Sequence, residues 1–181
     1  MRANQLKKLY STLLITLVTV VAASLLVTSE SITRAVLESR QDQETLELLQ
    51  GIFPEANFYT FDTNTEIYTV YNNGRNEIGY AFYGEGAGFS PGMVILIGLE
   101  DTETIRNIIV VSHRETRNFW NMLEDYNFFD QFNGLKIEDC AIERYDGTGG
   151  KVDSVTGATF SSRGVINIVR KTALEKIEYL N

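Results

Sequence analysis

The strongest constraint on this chain is a run with no charge at all. Leu9 to Val27 reads LYSTLLITLVTVVAASLLV, 19 consecutive residues without Asp, Glu, Lys or Arg. A stretch of roughly 20 apolar residues is what a helix needs to cross a bilayer. Its Thr and Ser hydroxyls can bond back to carbonyls of their own helix. The run therefore predicts a membrane-spanning helix over 9–29, and the globular fold has to be built from the residues C-terminal to it. Arg2, Lys7 and Lys8 precede the run, and the first acidic residue is Glu30. That asymmetry predicts a short cytoplasmic N-terminus, residues 1–8, and an extracytoplasmic remainder on a single-pass anchor of the cytoplasmic (inner) membrane. The alternative is a cleaved signal peptide. Such peptides have a 7–15-residue apolar region with small residues after it, whereas Ala22-Ala23-Ser24 lies inside the run.

Charge and cysteine content narrow the function of the remainder. Without Arg2, Lys7 and Lys8, the chain's 16 basic residues fall to 13 against 24 acidic ones, a net of −11 over residues 30–181. Phosphate backbones attract basic surfaces, so no nucleic-acid partner is expected. One cysteine, Cys140, and one histidine, His113, make neither an internal disulfide nor a Cys/His metal site, so no metal is expected. About 150 residues suffice for a self-supporting core.

The pattern along those residues predicts an α+β domain with a mainly antiparallel sheet and flanking helices. Residues 30–56 read as a helical stalk, with Leu46, Leu49 and Ile52–Phe53 at helical spacing and Gly51 and Pro54 as stops. The domain proper is expected over 57–181. Glu66–Tyr71 and Ile78–Tyr83 are rich in β-branched and aromatic residues around Asn72-Asn73-Gly74, which predicts a hairpin. Met93–Leu99 and Ile105–Val111 read as buried central strands, antiparallel across a short connection. Thr116 to Phe132 predicts one or two short helices ending at Asn133-Gly134. Lys136–Arg144 predicts a further strand, and Cys140 a buried strand residue. The Gly84–Gly92 stretch, GEGAGFSPG, reads as a loop. Its glycines lack the strand-to-helix context of a dinucleotide fingerprint. Val165, Ile168, Val169, Ala173, Ile177 and Leu180 mark a final helix with one apolar face.

Just before that helix stands DSVTGATFSSRG, Asp153 to Gly164. Four hydroxyls, Thr156, Thr159, Ser161 and Ser162, gather at a helix start expected near Phe160 to Ser162. One reading is an N-cap, in which a hydroxyl accepts from a free backbone N–H. The other is a phosphate-binding turn, since unpaired amides and the helix dipole favour an anion. One cap needs only one hydroxyl, Gly157 gives backbone room for close approach, and Arg163 adds charge.

The stretch Asp153-Ser-Val-Thr-Gly-Ala-Thr159-Phe-Ser-Ser162 resembles the flavinylation motif of the FMN-binding domain family. In that family the last threonine of the motif carries FMN through a phosphoester, which maps onto Thr159. Further likeness lies in Leu48–Ala56, in Gly92–Leu99 with Ile105–Val111, in His113-Arg-Glu115-Thr116, and in Phe129-Asp-Gln-Phe132-Asn-Gly134. It runs over roughly residues 1–175. Single anchor, domain size and motif position are most similar to the G-subunit branch, found in Rnf-type ion-translocating complexes. The resemblance implies covalent FMN on Thr159, with Thr156, Gly157, Ala158, Ser161, Ser162, Glu115, Thr116 and His113 as its surroundings. It implies an electron-relay subunit, not catalytic alone, between ferredoxin and NAD, coupled to Na⁺ or H⁺ movement. Its partners would be membrane and iron–sulfur subunits. A threonine hydroxyl is a weak nucleophile and has no neighbouring base in sequence. The resemblance accordingly implies a separate flavin transferase that uses FAD and Mg²⁺. The chain departs from the family where Arg117-Asn118-Phe119-Trp120 replaces the usual Pro-Gly-Leu-Gly. That leaves a second reading open: a stand-alone anchored module that holds a flavin or phosphate outside a standard complex. Trp120, Tyr83 and Phe89 are aromatic candidates for stacking on a flavin, or else core residues.

Overall fold

The computed structural model describes residues 42–142 and 149–180. The expected membrane span over 9–29 lies outside them, and no helix among the described residues is long and apolar enough to cross a membrane. The chain divides into two units, Met1–Thr45 and Leu46–Asn181, and the architecture below is that of the second.

Six strands pair in sequence order into one antiparallel sheet: β1 (Ala56–Asp62), β2 (Ile67–Asn72), β3 (Glu77–Ala87), β4 (Pro91–Leu99), β5 (Thr104–Ser112) and the two-residue β6 (Leu135–Lys136). Short connections explain the order from β1 to β5, because antiparallel neighbours can be joined by tight turns, whereas β6 returns to the edge after a longer helical connection. The expected hairpin and the two central strands are present, with Leu96 opposite Ile109 and Ile97 opposite Ile108. Three helices complete the fold: α1 over 42–52, α2 (Arg117–Asp125) and α3 (Thr159–Lys176).

The period-two alternation of the strands sends side chains to two cores. On one face, α1 buries Leu49, Ile52 and Phe53 against Val70, Ala81 and Leu96. The helical stripe at the end of the expected stalk is thus part of the domain's packing. The other face carries the larger core. There Phe82, Met93, Ile95 and Ile97 meet Val165, Ile168, Val169 and Ala173 of α3, with Leu123 of α2 and Phe128 and Phe132 of a 3-10 turn.

Three expectations need correction. Gly84–Gly92 is not a loop: β3 runs to Ala87 and β4 begins at Pro91. The glycines serve helix packing. A Cβ on Gly84 would meet Thr172 and Ile168, one on Gly86 would meet Ile168, and one on Gly164 would overlap the backbone of Gly88. Four residues of helix advance about 6 Å and two residues of strand about 6.6 Å, so α3 descends antiparallel along β3 with contacts in step. Within the expected strand Lys136–Arg144, the described residues 137–142 form no strand either, and 143–144 lie outside the described residues. Pairing with β5 stops after Lys136 and Leu135, and a 3-10 turn at Ile137–Asp139 comes next. The turn carries Ile137 and Cys140 into the core, where an extended edge strand would leave alternate residues in water. Cys140 is buried as expected but sits after that turn; burial pushes its thiol up to about 12. Finally, a strand unseen in the sequence, β1, forms from Ala56–Asp62. Its Phe58, Thr60 and Asp62 are half-buried or exposed on an edge, so no clean alternation announces it.

Candidate functional site

The hydroxyl-rich segment is the entry to α3. Val155 and Ala158 are buried, and Thr156-Gly157 forms an exposed turn between them. Gly157 has φ +90°, a conformation that L side chains rarely adopt, and Met122 of α2 approaches it. α3 starts at Thr159, one residue before the expected window.

The four hydroxyls divide by direction. Ser161 and Ser162 are fully buried and turned inward. Ser162 Oγ accepts from the Val155 N–H at 3.1 Å and donates to the Ala158 carbonyl at 3.0 Å, closing the turn into a loop. The Ser161 hydroxyl donates to Glu115 Oε2. Thr156 is exposed and Thr159 half-buried. No hydroxyl caps α3: its N-cap is Ala158, with no side-chain cap bond. The capping reading therefore fails here. The helix start keeps its first-turn amides free of side-chain acceptors, with the Thr159 side chain beside them.

Glu115 is 8% exposed and organises this end of the molecule. Besides Ser161, it accepts from the Ser90 N–H at 2.8 Å and the Phe89 N–H at 3.3 Å. One buried carboxylate thus ties the β3–β4 turn, the segment after β5 and the first turn of α3 together. Its own N–H donates to His113 Nδ1 at 3.3 Å. His113 stacks on Trp120 with ring centroids 3.6 Å apart, and Trp120 leans on Phe129 at 5.2 Å. Thr116 is exposed at the N-cap of α2, its carbonyl accepting from Phe119 and Trp120. The sequence Arg117-Asn118-Phe119-Trp120 is helix α2 itself, so the glycine loop usual in the family is here a helical turn.

Of the aromatic candidates, Trp120 and Phe89 border this region. Phe89 packs edge-on to Phe119 at 5.2 Å. Tyr83 does not: it lies with Tyr68 on a cleft of about 450 Å³ beside Lys171 and Glu175, further along α3. A second cleft of about 520 Å³ lies over Cys140 between Arg163 and Arg170. Neither of these two clefts includes residues 156–159, of which Thr156 and Gly157 are exposed. Sequence reasoning missed Gln131, whose side-chain amide holds the backbone of Asp153. It also missed Met122 against Gly157, and Gly164 against Gly88. These are contacts across sequence, and a single position in a sequence carries no local mark of them.

The family described as the FMN-binding domain matches residues 88–174, which reach from the β3–β4 turn through most of α3. Residues 88–174 are thus similar to an FMN-binding domain. The chain is 27% identical over 161 residues to the G subunit of the ion-translocating oxidoreductase complex of Methanosarcina acetivorans, covering 83% of this chain and 84% of that one. The G subunit of the same complex in Pasteurella multocida is 30% identical over 98 residues, 52% of this chain and 48% of the relative, so that match spans about half of the relative's length. Among solved structures, the crystal structure of Shewanella oneidensis NqrC aligns with TM-score 0.49 and 17% identity over 70% of each chain.

The residues of this turn fit a phosphate. An exposed glycine turn, an uncapped helix N-terminus and a threonine hydroxyl meet at 156–159, where partial positive charge gathers. Exposed apolar surface lies beside it: Phe160 is 69% exposed and Phe89 57%. A flavin ring needs such surface; an isolated phosphate does not.

Proposed function

We propose that this chain is the membrane-anchored flavoprotein subunit of an Rnf-type ion-translocating oxidoreductase, relaying electrons between ferredoxin and NAD through FMN esterified to Thr159. The observation that carries the reading is the half-buried Thr159 at an uncapped helix start beside the left-handed Gly157. The FMN-binding domain match and the two relatives named as G subunits support it.

Bound FMN supplies the redox chemistry, and the protein supplies position and electrostatics. Residues 1–8 lie in the cytoplasm, 9–29 span the membrane, and the domain that carries the flavin, which begins at Leu46 rather than at residue 57, lies outside. There a covalent tether keeps a cofactor that would not be replaced. A flavin transferase delivers it. Thr159 Oγ1 attacks the flavin-side phosphorus of FAD, the pyrophosphate P–O bond breaks, AMP leaves, and the hydroxyl proton passes to a base of the transferase. No electron changes hands in that step. The phosphodiester formed carries one negative charge at a helix start that favours it. Ser161, Ser162 and Glu115 hold the turn from inside. Thr156, Gly157 and Ala158 give the phosphate its amides and space, and Thr116 and His113 border the ring. The other membrane and iron–sulfur subunits exchange electrons with it.

Co-expression with a flavin transferase tests this. Mass spectrometry of the peptide containing Thr159 is expected to show a gain of one FMN less one water. Thr159→Val is expected to abolish the gain and the in-gel flavin fluorescence after denaturation. Fluorescence persisting in that variant sinks the reading. Flavin released on denaturation of the unsubstituted chain favours a noncovalent stand-alone module instead.

A further inference from the structure

The segment Asp153–Ala158 belongs to no strand or helix, yet Thr159 needs it to hold one shape. Ser162 closes its C-terminal end. At its N-terminal end stands Gln131, 22 residues earlier, in the 3-10 turn Phe128–Phe132. The side-chain amide of Gln131 treats Asp153 as a neighbouring strand would. Its Oε1 accepts from the Asp153 N–H at 2.8 Å, and its Nε2 donates to the Asp153 carbonyl at 3.2 Å. The other Nε2 proton is directed to the carbonyl of Phe128 at 3.4 Å. That third contact fixes the amide's orientation, because a flip would set Oε1 against two carbonyls. The platform is rigid: Phe128 and Phe132, which flank Gln131 in the turn, are fully buried and stack edge to face at 5.7 Å.

We propose that Gln131 is a positioning residue for the acceptor turn: it pins the backbone of Asp153, and so sets how Thr159 is presented to the flavin transferase. The proposal rests on the reading of Thr159 as the acceptor. Its chemistry is backbone recognition by both halves of one amide, so an isosteric residue without donor or acceptor cannot replace it. The side chain is half-buried at the surface, so its loss removes order from the turn more than stability from the core.

Full-length chain carrying Gln131→Leu or Gln131→Glu is compared with the unsubstituted chain by hydrogen exchange, thermal melting and transferase kinetics with FAD. In Gln131→Leu, exchange at the Asp153 amide is expected to rise roughly tenfold, as two hydrogen bonds are lost. The KM for the chain as substrate is expected to rise at unchanged kcat, because only the ordered fraction of turns is competent and that fraction falls. The melting temperature is expected to move little. Gln131→Glu keeps an acceptor for the Asp153 N–H but sets a carboxylate oxygen against the Asp153 and Phe128 carbonyls, so at neutral pH a rise in exchange smaller than in Gln131→Leu is expected. It is expected to regain protection, relative to the unsubstituted chain at the same pH, as pH falls toward about 4, where a protonated carboxyl again donates to the Asp153 carbonyl. Unchanged exchange in both variants overturns the proposal. So does faster exchange with unchanged KM, since the clamp would then hold the turn without positioning Thr159. An unsubstituted chain that takes no flavin on Thr159 overturns the acceptor reading and the proposal with it, a failure visible before any variant is made.

Discussion

Two exposed turns in this domain look alike and are built in opposite ways. The β2–β3 turn at Asn72–Asn76 is held by itself: Asn72 N–H donates to the Asn76 carbonyl, Arg75 N–H to the Asn72 carbonyl, and Asn76 N–H to Asn72 Oδ1. Every partner lies within five residues, and Arg75 adopts the left-handed φ of 60°. The turn at Asp153–Thr159 is held mostly from elsewhere: by Gln131, by Ser162, and through Ser161 by Glu115, which is 46 residues away. A turn closed by its own side chains costs little sequence and recurs wherever Asn and Gly cluster. A turn closed by distant residues is ordered only when the rest of the domain is folded, which suits a site that must be presented in one geometry.

That contrast can be broken at several points. The largest effect is expected from Gly164→Val, which forces a side chain into the backbone of Gly88 and lifts the start of α3 off β3. Overpacking of this kind costs about 1–3 kcal/mol or more, and urea denaturation measures it. Modification of Thr159 should fall with it. Next comes Glu115→Ala, which leaves the N–H groups of Phe89 and Ser90 and the Ser161 hydroxyl without their acceptor. A loss of about 2–3 kcal/mol is expected by the same measurement, with faster amide exchange at 88–90 and 158–162. Asn72→Ala sharpens the comparison from the other side. It removes one exposed local bond, so about 0.5–1 kcal/mol is expected, with no change in flavin incorporation.

The smallest expected effect is one that is lost in acid. The N–H of Glu103, with the hydroxyl and N–H of Thr104 and the charge of Lys136 helping, holds the Asp101 carboxyl below its ordinary value, against the opposing effect of burial. A carboxyl with a lowered folded value binds its proton less readily folded than unfolded. Its stabilisation is therefore complete above the unfolded value of about 4 and is lost as pH falls through the folded value. Asp101→Asn removes that stabilisation, so the melting temperature is expected to drop slightly at neutral pH, and the variant and the unsubstituted chain to converge as pH falls well below about 4.

Legibility in the sequence follows the same division. The β2–β3 hairpin and the strands Met93–Leu99 and Ile105–Val111 could be read because their signals are local: alternation, apolar runs and turn residues. The helix α3 could be read from Val165, Ile168, Val169 and Ala173. What misled was chemistry that has more than one use. Gly84, Gly86 and Gly88 looked like loop punctuation, but they are the groove into which α3 fits. Lys136–Arg144 had strand composition, but burying Ile137 and Cys140 required a turn. The cluster of Ser and Thr looked like a cap, and none of its hydroxyls caps α3.

By itself, the sequence determined the acidic character of the domain, its antiparallel centre, the final amphipathic helix and the small-residue stretch before it. These depend on composition and on periods of two and 3.6 residues, which any window of chain displays. Tertiary structure decided which hydroxyls face inward and which outward, because Ser161 and Ser162 acquire their partners only when Glu115, Val155 and Ala158 arrive. It also decided that Gln131 meets Asp153. Direction and partnership are properties of packed surfaces, and a hydroxyl in a sequence has neither until the helix beneath it is docked.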